Sequence, residues 1–123
     1  MISTITTHSA VVIAKSGVSS SDIINLSNLP ANAKFYFDLL IAGDGEAKAE
    51  YNIGDNDDDT FYEPAAATDI CTGHIKTTGT GGRTRYLFTP IVGERMKIKI
   101  TETGGANSIT ATGKLILFAG ERT

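Results

Sequence analysis

Along most of the chain, apolar and polar residues alternate with a period of two, the spacing of a strand that buries one of its faces. Residues 96–101 are the clearest instance: Met96, Ile98 and Ile100 point one way, and Lys97, Lys99 and Thr101 the other. Residues 35–41 repeat the pattern, with Phe35, Phe37, Leu39 and Ile41 in one row and Tyr36, Asp38 and Leu40 in the other. Residues 46–53 set Ala47, Ala49, Tyr51 and Ile53 against Lys48, Glu50 and Asn52. In residues 108–118, Ile109, Ala111, Leu115 and Leu117 share a face opposite Thr110, Thr112 and Lys114. Shorter candidates are 10–15, 23–26, 69–76 and 85–89. Gly43-Asp44-Gly45 predicts a hairpin between the second and third of the long runs, because glycine supplies positive φ without steric cost. Thr103-Gly104-Gly105-Ala106-Asn107 predicts another tight turn.

No window of helical length carries an i, i+3, i+4, i+7 apolar stripe. Pro30, Pro64, Pro90 and 13 glycines punctuate the chain at strand-length intervals. The pattern predicts an all-β antiparallel sandwich of jelly-roll type, with eight or nine strands and no substantial helix. At 123 residues, the chain fits one domain and needs no staple to bury a core. The division expected is a polar N-terminal arm over residues 1–9 and a sandwich over 10–123. The Ser/Thr-rich arm could add to a neighbour's sheet and tie copies together.

Charge and cysteine content then narrow the function. The net charge of −3 gives no electrostatic reason for tight binding to nucleic acid or to an anionic membrane surface. No apolar run approaches the roughly 20 residues that span a bilayer. The start of the chain lacks the basic and apolar regions of a secretory signal, so the expectation is a soluble protein made in the cytoplasm. A single cysteine, Cys71, rules out an intrachain disulfide.

The C-terminal third, residues 96–110, from Met96-Lys97-Ile98-Lys99 through Gly104-Gly105-Ala106-Asn107 to Ser108-Ile109-Thr110, resembles a recurring pattern in small structural proteins of tailed bacteriophages and prophages. Similar pieces precede it in the expected order: Asp22-Ile23-Ile24-Asn25-Leu26-Ser27, Gly43-Asp44-Gly45-Glu46-Ala47-Lys48-Ala49-Glu50-Tyr51 and Phe61-Tyr62-Glu63-Pro64. Together they cover about half of the chain. The resemblance implies a virion β-sandwich protein: a head decoration protein, a tail component or a fibre-attached module. It carries no catalytic residue with it. The matched residues are mostly strand and turn positions. The acidic 55–59 loop departs from the pattern.

Candidate chemistry is sparse. Cys71 and His74 lie three residues apart, which suits half of a zinc site or a Cys–His pair. No second cluster completes four ligands, so a buried thiol beside a surface histidine is the preferred reading. His8, in the arm, is poorly placed to be preorganised. Gly79-Thr80-Gly81-Gly82-Arg83 lacks the lysine and spacing of a phosphate loop and reads as a connection. Asp55, Asp57 and Asp59 alternate as the oxygen ligands of calcium can, although the twelve-residue loop and its final glutamate are missing. A solvated loop tip is the simpler account. Among the tyrosines, Tyr36, Tyr62 and Tyr86 could serve as carbohydrate platforms, which keeps a carbohydrate- or receptor-binding module as an alternative. No nucleophile, base and orienting group can be assembled, so an enzyme is not expected and no cofactor is implied.

Several outward positions are apolar. Tyr36 and Leu40 fall on the row opposite the core, and Ile116 and Phe118 fall on the Thr110/Thr112/Lys114 face. With Arg83 and Arg85, which could meet an acidic patch, they are the candidate interface residues. The partners expected are further copies of the chain and other virion proteins, such as a major capsid protein. The expected location is the virion, with a head decoration role first and a tail or fibre component second.

Overall fold

In a computed structural model that describes residues 2–27, 29, 32–55, 60–65, 68–91 and 93–119, the alternating runs are strands, and no helix occurs among the described residues. In chain order they are β1 (Ile2–Ile13), β2 (Val18–Ser20), β3 (Ile24–Asn25), β4 (Lys34–Ala42), β5 (Ala47–Gly54), β6 (Asp69–His74), β7 (Arg83–Phe88), β8 (Arg95–Glu102) and β9 (Ile109–Phe118). They form two sheets whose pairings are all antiparallel. The first sheet has the order β1-β9-β4-β7. The second has β2-β8-β5-β6, with β3 also on β8.

β2 and β3 lie one after the other along β8, Val18 opposite Thr101 and Ile24 opposite Met96, and so make one interrupted strand. Counted that way, consecutive strands always cross between the sheets except at β5 and β6, which are neighbours. That winding, with the first and last strands side by side, is a jelly roll.

Alternation sets which side chains meet between the sheets. Phe37, Leu39 and Ile41 from β4 and Ile109, Ala111 and Leu115 from β9 face Met96, Ile98 and Ile100 from β8, and all nine are essentially inaccessible to solvent. Burying side chains of this kind contributes about 1.5–3 kcal/mol each before the entropy of ordering them is subtracted. Ala47 and Ala49 on β5 are small where β8 packs beside them.

Three expectations about connections and boundaries are corrected. Residues 2–9 are not an arm outside the domain. They form the first part of β1, pairing from Ile2 opposite Phe118 to His8 opposite Gly113, so they serve this chain's own sheet. Only Ile5 marks the inward row in a run of Ser and Thr, which suit strands without advertising a buried face. The Gly43-Asp44-Gly45 segment is not a hairpin within one sheet: β4 pairs with β9 and β7, and the connection carries the chain across to β5 in the other sheet. The segment after β8 crosses back to β9 in the same way. A glycine-rich link between alternating runs signals a reversal of the chain, and a reversal serves a crossover between packed sheets as well as a hairpin. The very short β2 had no detectable signal in sequence.

Candidate functional site: the outer face of the β1-β9-β4-β7 sheet

All six candidate interface residues lie on β4, β7 and β9, and their register places them on one outward face. Tyr36 stands opposite both Ile116 and Leu87, and Ile116 opposite Thr4, giving a row across four strands. Phe118 packs edge-on against Tyr36, with ring centroids 5.3 Å apart. Ile2 stands opposite Phe118 at the margin. Although it points outward, Ile116 is only 5% exposed beneath its neighbours, whereas Leu87 and Ile2 are each 64% exposed. Leu40 and Val12 continue the apolar character at the other end of the face and are also exposed.

Between the two apolar ends runs a charged row. Asp38 stands opposite Lys114 on one side and Arg85 on the other. Its carboxylate is buried and accepts two hydrogen bonds from the Arg83 guanidinium, Nε to Oδ1 at 2.9 Å and Nη2 to Oδ2 at 3.1 Å. Arg85 approaches Oδ2 at 3.5 Å. Both arginine side chains stay about half exposed. The carboxylate is therefore consumed within the face, while the guanidinium groups keep donors turned to solvent.

On the opposite face, of the second sheet, several charged side chains engage one another. Lys48 lies 3.8 Å from Glu50 and 3.3 Å from Asp69, Lys99 lies 3.7 Å from Glu50, and Lys97 sits 4.7 Å over the Phe61 ring.

The polar residues singled out for chemistry hold the two sheets together. His8 is buried because register slips on either side of it in β1 turn it inward. Its Nε2 donates to the Ser19 carbonyl of β2 at 3.0 Å, and Thr7 Oγ1 donates to Nδ1. Burial pushes its pKa below the usual value. His74 is fully buried, not a surface histidine. Its Nε2 donates to the Gly82 carbonyl at 2.7 Å, so Nδ1 accepts from the Tyr86 hydroxyl, also at 2.7 Å. Gly82 has φ of 90° and lies against the backbone of Ile41 and Lys76, where a Cβ would clash.

The Tyr86 hydroxyl also meets Cys71, and burial is the main cause that lifts its pKa to about 12. Burial likewise pushes the Cys71 thiol up, which makes it a poor nucleophile at neutral pH. Tyr86 therefore points into the sandwich and cannot be a carbohydrate platform. Tyr36 is half-buried against Phe118, and Tyr62 is exposed. Lys76, in the turn after β6, pairs with Asp44.

Glu102 is a buried carboxylate that sequence reasoning passed over. It accepts backbone N–H bonds from Ser16, Glu46, Gly104 and Gly105 at 2.8–3.0 Å, clamping three connections at one end of the sandwich. These bonds hold its pKa down to about 2. The signal was present, since Glu102 continues the inward row of Met96, Ile98 and Ile100.

Asp55 is exposed, and Asp57 and Asp59 lie outside the described residues. Among the described residues, no three His, Cys, Asp or Glu side chains gather to hold a metal ion. Two of the recesses among the described residues adjoin this sheet. One is lined by Ser3, Thr4, Ile5, Asn25, Leu26, Leu29 and Leu117, with no ionisable group. The other, between the start of β4 and the end of β7, has Lys34 as its single ionisable group.

No family model matches the chain, and no curated protein matches it. Among solved structures, it is similar to VP2 of infectious bursal disease virus in a subviral particle, with a TM-score of 0.65 and 15% identity, over 95% of this chain and 32% of that one. T=1 particles derived from the same virus give 0.64 and 17%, over 95% and 31%. The Gx strain structure gives 0.53 and 16% over the same shares. The likeness establishes a shared fold. The chain spans about a third of the length of these proteins.

Proposed function

We propose that this chain is a structural protein of a virion and acts by packing against other proteins through the outer face of the β1-β9-β4-β7 sheet. The observation that carries the reading is the overlap of 95% of the chain with VP2 of a subviral particle. A jelly roll is a rigid brick, and such bricks build shells by repeated contacts between faces and edges. The half-buried aromatic cluster of Tyr36 and Phe118, flanked by the exposed side chains of Leu87 and Ile2, has the composition of an interface centre, and Arg83 and Arg85 suit its rim.

The finer reading is a head decoration protein of a tailed bacteriophage, made in the host cytoplasm, that docks as a homo-oligomer on a major capsid protein. The resemblance of residues 96–110 and 43–51 to phage structural proteins supports it. Individually weak contacts would add through multivalency. Catalysis is no part of this reading, because Cys71, His74 and Tyr86 are spent on one another and on Gly82 inside the fold.

The test is co-sedimentation of the purified protein with assembled capsids and with tails of the phage that encodes it. Binding to capsids that is lost in a Tyr36→Asp, Leu87→Asp double variant is the expected result. Binding to tails alone, or to neither particle, contradicts the head assignment.

A further inference from the structure

The edges of the two sheets are not alike. In the first sheet they are β7 and β1, and in the second β6 and the interrupted strand of β2 and β3. Natural edges are blunted by short length, charge, bulges or breaks, because a bare row of N–H and C=O groups invites another strand. β7 is six residues long and carries Arg83 and Arg85. β6 also has six residues, begins at Asp69, contains Gly73 with φ of 69° and slips register twice against β5. β2 and β3 have three and two residues, with Asp22 between them. β1, in contrast, has twelve residues and no Asp, Glu, Lys, Arg, Pro or Gly. Its ladder with β9 is regular from Ile2 to Thr6. From His8 on, register slips and the bond to the Ser19 carbonyl draw it against the second sheet. Among the described residues, Ile2–Thr6 therefore keep one edge unpaired and uncharged, with β-branched side chains at every position but Ser3.

We infer that this edge pairs antiparallel with the same edge of a second copy, so that a two-fold axis joins two β1-β9-β4-β7 sheets into one continuous sheet. The strand stays in its own sheet and uses only its second edge. Opposed residues of an antiparallel pair lie on the same side of the sheet, so even-numbered residues of β1 face even-numbered ones. With Thr4 on the axis, it meets the partner's Thr4, and Ile2 stands opposite the partner's Thr6. Both pairs lie on the outer side and bring no charges together. On the inner side, the partner's Ile5 stands opposite Ser3, beside the recess that Leu26, Leu29 and Leu117 make apolar. A second copy is the partner that fits, because the run is complementary to itself in side-chain parity, shape and lack of charge. The inference goes beyond the packing reading, since it assigns an edge and not the face. Its two-fold operation also sets the outer faces of both copies on the same side of the joined sheet.

Sedimentation velocity on the purified full chain, from micromolar to millimolar protein, tests it. The expected result is a discrete dimer whose dissociation constant changes little between low and roughly half-molar salt, since the edge carries no charge to screen. Thr4 and Thr6 are exposed, so charging them leaves the core untouched. Thr4→Lys combined with Thr6→Lys sets lysines against lysines and should weaken the dimer about tenfold or more, with the thermal unfolding midpoint retained. Thr4→Glu combined with Thr6→Glu should do the same alone, and mixing the two variants should restore a dimer. On the unmodified chain, backbone amide exchange over residues 2–6 should slow at dimer concentrations, while β6 and β7 exchange as before. A monomer at every concentration, a dimer in which residues 2–6 exchange as in the monomer, association undiminished in the Lys variant, or variants that stay monomeric when mixed overturns the inference. A monomeric chain that still sediments with capsids refutes the edge pairing and keeps the proposed function.

Discussion

On the outer face of the second sheet, Lys48, Glu50, Asp69 and Lys99 satisfy one another at 3.3–3.8 Å, and Lys97 covers the Phe61 ring. On the outer face of the first sheet, the single carboxylate is spent on two arginines, and an apolar row runs unbroken from Ile116 through Tyr36 to Leu87. Both faces are the outward rows of alternating strands, built under the same backbone rules. The first leaves an apolar row and two half-exposed guanidinium groups open to solvent, while on the second the carboxylates and two of the lysines are engaged with one another. A face that is already paired has little to gain from a partner, since exposed ion pairs exchange water for one another at nearly no net gain. Surplus apolar area and unopposed cations are what a partner can use.

Substitutions on the two faces should therefore differ in both stability and assembly. The largest effect is expected from Ile116→Asp, which places a charge in the buried centre of the first face and should destabilise the fold by about 3 kcal/mol in denaturant titration. Asp38→Asn weakens the charge-assisted fork to Arg83 and should cost roughly 1–3 kcal/mol, read in the same way.

Acid provides a reference that belongs to neither face. Glu102 binds its proton less tightly folded than unfolded, so its contribution is complete above the ordinary carboxylate value near 4.5 and is lost as pH falls toward about 2. Stability should fall through that window, and Glu102→Gln, less stable at neutral pH, should flatten that part of the curve. On the second face, Lys99→Ala should change stability by less than about 1 kcal/mol and leave assembly unaltered. A large loss there would erase the contrast between the faces.

Much of this was legible in the sequence, for a physical reason. Period-two alternation is a local consequence of burying one face, so the inward rows of β4, β5, β8 and β9 follow from the order of apolar and polar residues alone. Four of the six interface candidates, Tyr36, Leu40, Ile116 and Phe118, follow from the same rule applied to apolar residues on the outward row, and Arg83 and Arg85 follow from their charge. What could not be read depends on distant partners. β1 is held by its register with β9, about a hundred residues away, and its Ser/Thr-rich run has no apolar row to reveal it. The crossing of Gly43–Gly45 between sheets depends on which strands flank β4, which no local pattern encodes. Burial of His8 needs a register slip in β1, and burial of His74 needs Gly82 and Tyr86 brought from β7 and the turn before it. Glu102 continues the inward row of β8 in sequence, but the amides that satisfy its carboxylate come from three connections that only the fold brings together.

Side-chain footprinting by carbene labelling, comparing the dispersed protein with its assembled form, tests the central claim most directly. If the first face is the packing surface, labelling of Ile2, Tyr36, Leu87 and Phe118 falls on assembly while Phe61, Lys97 and Lys99 are labelled as before. Protection of Phe61, Lys97 and Lys99 with Tyr36 and Leu87 left open would contradict it.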